Sequence, residues 1–377
     1  MVRGVHRGLA RLATMELDAA APVAELTRQL IDIPSVSGNE QAIADAVETA
    51  LRAAPHLEVV RNGNAVMART ALGRAQRVIL AGHLDTVPIK SNVPARRSDD
   101  GAELIGRGTV DMKAGVAVFL ALAVSLAEPV HDVTWIFYDL EEVESSRNGL
   151  GRLARAHPEW LHGDLAILGE PTSGIIEGGC NGTLRADIVI AGRAAHSARS
   201  WKGVNAIHRA APLLTALADY EAETITVEGL DYREGMNAVG IRGGIAGNVI
   251  PDECVVTINY RFAPSWDLDK AQRRLEDVVS GSGLEGYQVV YTDLASGARP
   301  GLDAPLAQSF ADAAARFTEG VPRAKLGWTD VARFSELGIP AVNFGPGNPE
   351  LAHSDDERCA VAEIDRCRAA LEAWLTP

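Results

Sequence analysis

The stretch Arg77–Pro88, RVILAGHLDTVP, begins as an apolar run and ends on a histidine and an aspartate two residues apart. Continuous apolar residues without polar alternation fit a strand buried on both faces, as parallel sheets bury theirs. A strand that only packs has no need of His83 and Asp85 at its exit, where Pro88 stops the segment. The same design returns downstream. VTWIFYDLE (133–141) is mostly apolar and runs into Glu141 and Glu142, and DLAILGEP (164–171) runs into Glu170. Helical patterns separate these runs: Met112–Glu128, and NGLGRLARA at 148–156. Strands alternating with helices predict a doubly wound, mixed α/β sheet.

Upstream, residues 21–54 carry two helical patterns split by the IPSVSG loop, followed by the strand-like runs LEVVR and NAVMAR. Downstream the rhythm changes near Gly178. TLRADIVIAG (183–192) alternates at period two, as a half-exposed antiparallel strand does. GVNAIHRAAPLLTALADY reads as one amphipathic helix. Strands follow at ETITVEG, NAVGIRGGIAG and ECVVTINYRFAP, then a helix at DLDKAQRRLEDVVSG and a strand at YQVVYTD. The order β-α-β-β-β-α-β predicts an inserted α+β unit of ferredoxin-like type. The expected boundaries are 15–180 plus 294–377 for the larger unit and 181–293 for the insert, with 1–14 a disordered extension and Met15 a candidate start.

The chain has 377 residues and a formal net charge of −14, without a long Lys/Arg run. That balance argues against a nucleic-acid surface and for a small-molecule substrate. No apolar run reaches the length of a membrane span, and the basic start lacks a signal-sequence core, so the expected location is the cytoplasm. Cys180, Cys254, Cys359 and Cys367 form no metal-finger spacing and are expected to be reduced.

The residues with chemistry recur at a near-regular step. His83, Asp111, Glu142 and Glu170 are separated by 28, 31 and 28 positions. A strand–crossover–strand unit takes about 30 residues. The step therefore predicts that neighbouring strands carry these groups to one edge, where open α/β sheets bind ligands. A late LAHSDDE adds His353. His83 with the five carboxylates of Asp85, Asp111, Glu141, Glu142 and Glu170 at a strand edge is unfavourable unless a cation holds them. Histidine with carboxylate suits zinc or another borderline divalent ion, and a single aspartate can bridge two.

GHLDTVP, GRGTVDMKAG, LEEVES, GEPT and AHSDDE resemble, in order and over nearly the whole chain after Ala21, the signatures of the dizinc aminoacylase/carboxypeptidase family. Longer phrases, HSARSWKGVNAIH, NVIPDECVVTINYRFAP, KLGWTDVARF and GIPAVNFGPGNPELAH, most resemble its actinobacterial succinyl-diaminopimelate desuccinylase branch. The resemblance implies two zinc ions, with cobalt or manganese as substitutes. His83, Asp111 and Glu170 would hold one; Asp111, Glu142 and His353 the other. Asp85 would accept the second ring N–H of His83. Glu141 would be the general base acting on a metal-bridging water. The insert would be a lid and a homodimer interface, and its His196 would reach the partner's site to stabilise the oxyanion. Asn248 and Arg261, with Arg199 or Lys202, would hold the substrate, and Thr329 and Asp330 would lie in its pocket. The implied reaction is hydrolysis of N-succinyl-LL-2,6-diaminopimelate. The alternatives are another deacylase or dipeptidase of the family, such as an acetylornithine deacetylase, and a metal-binding relative without activity. Leu140 stands where many members have aspartate, and Ser200 where many have proline.

Overall fold

The computed structural model describes residues 16–377. The basic extension and Met15 lie outside the described residues. Arg77–His83 is a buried strand inside an eight-stranded sheet. From edge to edge the strands are Glu58–Asn62, Ala65–Arg69, Asp132–Tyr138, Arg77–His83, Leu165–Leu168, Ala341–Asn343, Glu177–Gly178 and Arg323–Ala324. The four central strands, Asp132–Tyr138 to Ala341–Asn343, are parallel. Antiparallel neighbours on both flanks make the sheet mixed.

Side-chain alternation along Arg77–His83 separates two cores. Val78 and Leu80 pack with Leu30, Val47, Phe119 and Leu371 from the helices Val23–Ile31, Gln41–Arg52, Lys113–Ser125 and Val361–Leu375. Ile79 and Ala81 face Leu150, Leu153 and Phe334 from Gly149–Ala156 and Val331–Glu336. Helices thus cover both faces, the doubly wound arrangement. Lys113–Ser125 is apolar all round and buried from Lys113 to Ala123, as a helix enclosed on every side must be. Among the described residues no helix is long and apolar enough to cross a membrane. A Cβ on Gly115 in this helix would stand 2.0 Å from the Gly169 carbonyl oxygen, and one on Gly345 would stand 2.3 Å from it. Two glycines therefore let the Gly169–Glu170 backbone sink between helix and sheet.

Asp132 anchors the start of the strand that leads to Glu141. Its buried carboxylate accepts hydrogen bonds from Thr70 Oγ1 (2.8 Å), Leu72 N (2.9 Å) and Arg74 N (2.9 Å). Burial works against its charge, but these bonds outweigh burial and hold its pKa below the ordinary aspartate value. The stabilisation is therefore complete above the unfolded pKa of about 3.9 and is lost as pH falls through the lower folded value. Asp132→Asn is expected to cost about 1–3 kcal/mol at pH 7. Its stability should also change less than the parent's below pH 4, as measured by urea unfolding at a series of pH values.

The inserted unit is a four-stranded antiparallel sheet in the order Gly235–Gly243, Glu253–Phe262, Gly182–Ala191, Tyr287–Ala295. With its helices packed together on one face this is the ferredoxin-like β-α-β-β-α-β pattern. Two sequence expectations are corrected here. The stretch read as one helix is two, Ala206–Arg209 and Ala211–Ala218, because Pro212 lacks the N–H to continue the first. ETITVEG does not join the large antiparallel sheet. It pairs with Leu230–Arg233 through Glu228 and Gly229, whose φ values of 51° and 82° make the two-residue turn that matches hairpin twist.

The even-numbered residues Leu184, Ala186, Ile188, Ile258 and Tyr260 are buried under the helices. The odd face points away from them. Register places Arg185 opposite Asn259 and Thr183 opposite Arg261 on that face. A register shift between Tyr291 and Asp293 turns Asp293 onto the same row as Arg185, the re-aiming that bulges provide beside active sites.

Candidate active site

Parallel central strands send their carboxyl ends to one edge, and the chemistry collects there. His83 is the last residue of its strand and is fully buried. Glu141 and Glu142 follow the Asp132–Tyr138 strand, Glu170 follows Leu165–Leu168, and His353 follows Ala341–Asn343 after a longer loop. Asp111 arrives differently. It was expected at the exit of a sheet strand, but the preceding strand, Glu103–Ile105, belongs to a separate three-stranded sheet. Asp111 sits on the loop that starts the buried Lys113–Ser125 helix. The regular spacing reflects that helix, not another strand of the large sheet.

Asp111 nevertheless joins the two histidines. Its Oδ1 lies 3.1 Å from His83 Nε2 and its Oδ2 3.2 Å from His353 Nε2. Glu142 Oε1 is 2.9 Å from the same His353 nitrogen. Burial opposes the Asp111 charge, but the contacts to His353 and His83 prevail and hold its pKa well below the usual carboxylate range. The contacts to Asp111 and Glu142 push His353 up to about 10. Glu170 is pushed up to about 8, by burial first and by the Asp111 charge second. Burial also lifts Glu141 well above the glutamate value, and Glu142, Glu170 and Asp330 add to the rise against the opposing pull of His83.

Asp85 departs from its expected role. His83 Nδ1 contacts the Asp85 backbone carbonyl at 3.0 Å, whereas the nearest carboxylate oxygen is 3.6 Å away. The carboxylate instead accepts Ser37 Oγ (2.7 Å), Glu141 N (3.0 Å) and Glu142 N (3.1 Å). One residue thus orients the histidine through its backbone and the Glu141–Glu142 turn through its side chain. That turn holds Leu140 at a φ of 59°, a conformation unfavourable for a leucine.

The donor set fits divalent cations on its own chemistry. Donor atoms lie within 4.8 Å of one another in three groups: His83–Asp111–Glu170, Asp111–Glu142–His353 and His83–Glu141–Glu142. Asp111 is common to the first two. Among the described residues the buried Glu170 Oε1 has no hydrogen-bond partner, a costly state that a cation would relieve. Four carboxylates in one place raise each other's pKa unless positive charge intervenes.

Above this cluster opens a cavity of about 1060 Å³ between the large sheet's edge and the odd face of the inserted sheet. The larger unit lines it with Glu141, Glu170, Lys325 and Thr329, the smaller with Arg185 and Arg261. Thr329 Oγ1 donates to Asn343 Oδ1 at 2.9 Å, so its hydroxyl proton is committed. Asp330 is buried and accepts Asn148 Nδ2 and Arg333 Nε, a packing role away from the cavity wall. His196, Asn248, Arg199 and Lys202 are exposed and do not line this cavity. His196 and Val249, next to Asn248, are paired in a short two-stranded ladder elsewhere on the insert. Two cavity residues escaped the sequence reading. Arg185 looked like the solvated side of an alternating strand. Lys325 is buried, with its Nζ on the Pro171 carbonyl (2.8 Å) beside Glu170 and on Glu177 (2.9 Å).

Residues 79–376 match the model of peptidase family M20/M25/M40. The chain belongs to that family. Its relatives include a Mycobacterium tuberculosis H37Rv protein described as a candidate succinyl-diaminopimelate desuccinylase, DapE, 54% identical over 360 residues, covering 95% of this chain and 99% of that protein. A Corynebacterium glutamicum succinyl-diaminopimelate desuccinylase is 48% identical over 365 residues, 96% and 98% of the two chains. Among solved structures, an M20 family metallo-carboxypeptidase of Sulfolobus solfataricus superposes with a TM-score of 0.75 at 16% identity, over 93% of this chain and 98% of that one. The M20 chain described here is therefore a hydrolase of a metal-dependent family, with the mixed-sheet fold of its neighbours.

Proposed function

We propose that this M20 hydrolase cleaves the amide of N-succinyl-LL-2,6-diaminopimelate, giving succinate and LL-2,6-diaminopimelate, in the cytoplasm. The observation that carries the reading is the pair Arg185 and Arg261 on the cavity wall. Among the described residues neither forms a salt bridge to a carboxylate. Arg261 is half-buried, and its Nε is held by Asn259 Oδ1 at 3.1 Å. Burial, with Arg185 close by, lowers its pKa from the ordinary arginine value. A half-buried guanidinium beside a second, exposed one, both without a carboxylate partner among the described residues, calls for an anionic ligand, and an arginine fork pairs bidentately with carboxylate. The substrate carries three carboxylates and one ammonium. The names of the two relatives above support the same choice.

His83, Asp111 and Glu170 would hold one zinc ion, and Asp111, Glu142 and His353 a second. When bound, such ions polarise the amide carbonyl and make water more acidic. Glu141 takes the proton of the attacking water on its carboxylate, the water oxygen adds to the amide carbon, and the C–N bond breaks. Glu141 then returns the proton to the departing nitrogen. The arginines hold the acyl and amino-acid carboxylates so that the amide carbon lies over Glu141.

Dimerisation belongs to the same proposal. Gly235–Gly243 is an edge strand with one neighbour, and it exposes Val239 (59%) and Ile241 (52%). A long apolar edge of this kind is normally covered. A second copy pairing there would bring its His196 and Asn248 towards the cavity.

The test is paired: succinate release from N-succinyl-LL-diaminopimelate against acetate release from N-acetyl-ornithine, with zinc-loaded protein. Preference for the succinyl substrate is expected. Preference for the acetyl substrate would overturn the assignment of the acyl group. Hydrogen bonds to a charged group contribute about 1.5–3 kcal/mol, so Arg261→Met should raise KM for the succinyl substrate about 10–100-fold.

A further inference from the structure

His83 and Glu170 are placed by strands of the large sheet, but Asp111 is not. Its carboxylate meets both histidines from a loop, so something outside the sheet must fix that loop. The segment that supplies His353 ends, four residues later, in Glu357. This glutamate is 1% exposed. Its Oε1 accepts the backbone N–H groups of Val110 (2.8 Å) and Asp111 (3.0 Å). Its Oε2 accepts Arg107 Nη1 at 2.8 Å, and Arg107 is itself 2% exposed. The Glu357 carbonyl accepts Gly106 N at 2.9 Å, and the strand Arg358–Ala360 then pairs with Glu103–Ile105.

We propose that Glu357 is the positioning residue of the centre. Its carboxylate locks the Gly106–Asp111 loop to the His353 segment and so fixes the separation of Asp111 and His353. The inference rests on the metal-binding reading above and adds to it a residue that touches neither ion nor substrate. A buried carboxylate suits the task for a physical reason. Two adjacent N–H groups converge on one oxygen, and charge-assisted bonds of this kind are shorter and stiffer than neutral ones. The ion pair with Arg107 offsets the desolvation of that charge. Asp111 and His353 are two of the three members of one donor group, so slack in this clamp separates donors that must stand together. Groups that orient ligands in this way typically cost 10–100-fold in metal affinity when removed.

The experiment is a titration of the metal-free full chain with Zn2+ alone, followed by calorimetry, beside the Co2+ absorption spectrum and Tm. Glu357→Ala is expected to bind Zn2+ about 10–100-fold more weakly and to lose intensity in the Co2+ bands. KM of the loaded enzyme should change less than threefold, because the arginine contacts are untouched. Glu357→Gln keeps an acceptor for the two N–H groups and should recover most of the affinity. Arg107→Gln removes the ion pair but leaves the clamp, so it should lower Tm and leave Zn2+ affinity near the parent's. Parental Zn2+ affinity in folded Glu357→Ala would overturn the proposal, as would an equal loss of affinity in Arg107→Gln. A parent chain that binds no Zn2+ would instead overturn the metal-binding reading.

Discussion

Glu141→Gln is expected to lower kcat for N-succinyl-LL-diaminopimelate by about 10²–10⁴-fold while leaving the zinc content of the protein unchanged. Glutamine has nearly the same shape and hydrogen-bonding reach, but it cannot take a proton. The residue's environment explains why that matters. Burial, and then the charges of Glu142, Glu170 and Asp330, lift the Glu141 pKa well above the glutamate value, with His83 pulling the other way. A base raised in this manner holds a proton long enough to deliver it to the leaving nitrogen. KM should move little, because Arg185 and Arg261 stand on the opposite wall of the cavity. Glu142→Gln is the contrasting variant. Glu142 Oε1 shares the His353 nitrogen, so its loss should remove metal as well as activity. Metal analysis of the two purified variants, beside succinate release, separates the roles. Since a Glu141 oxygen also lies near His83 and Glu142, loss of zinc in Glu141→Gln would make it a ligand and not the base.

The large sheet and the edge that carries the site were legible because they follow from local apolar runs. Val78–Ala81, Val133–Tyr138 and Leu165–Leu168 are strands with both sides buried, and a parallel sheet leaves few other readings of such runs. His83, Glu141, Glu142 and Glu170 then reach one edge by chain direction alone. Asp111 shows the limit of that logic. Its spacing suited a strand exit, yet it comes from a helix start in front of a separate small sheet. Arg185 was hidden for a different reason. Its face of the inserted sheet becomes a cavity wall only through packing against the other unit. Asp293 reaches the same row through an irregularity that no periodicity reveals. The carbonyl contact of Asp85 to His83, and the side-chain contacts to Glu141 and Glu142, are likewise products of the tertiary fold. Pro212 and the Glu228–Gly229 turn, by contrast, were written in the sequence as local punctuation. The helix break and the hairpin needed only that reading.

His196→Ala is expected to lower kcat by about 10²–10³-fold, the usual effect of removing one donor to a developing oxyanion. It should leave zinc content and the oligomeric mass unchanged. The geometry makes the origin of this histidine the real question. His196 is exposed, its Nδ1 accepts Ala198 N at 3.1 Å, and it does not line the cavity of its own chain. Either it acts on a second copy's cavity across the Gly235–Gly243 edge, or it acts on its own chain's. Mixed dimers decide between these. Glu141→Gln homodimers lack the base in both sites, and His196→Ala homodimers lack the imidazole in both. A heterodimer of the two has one site whose base comes from the His196→Ala chain and whose imidazole comes from the Glu141→Gln chain. By the statistics of a two-fold dimer, co-expression should restore about a quarter of parental turnover. If His196 served its own chain, no heterodimer site would hold both residues, and the mixture would show no more activity than its components. Ile241→Lys on both chains adds a charge to the apolar edge that the second copy would cover. It should convert the dimer to monomer by sedimentation and abolish the restored activity. Dimers that persist in the Ile241→Lys chains, with activity still restored, would overturn the edge-strand interface while keeping the imidazole in trans.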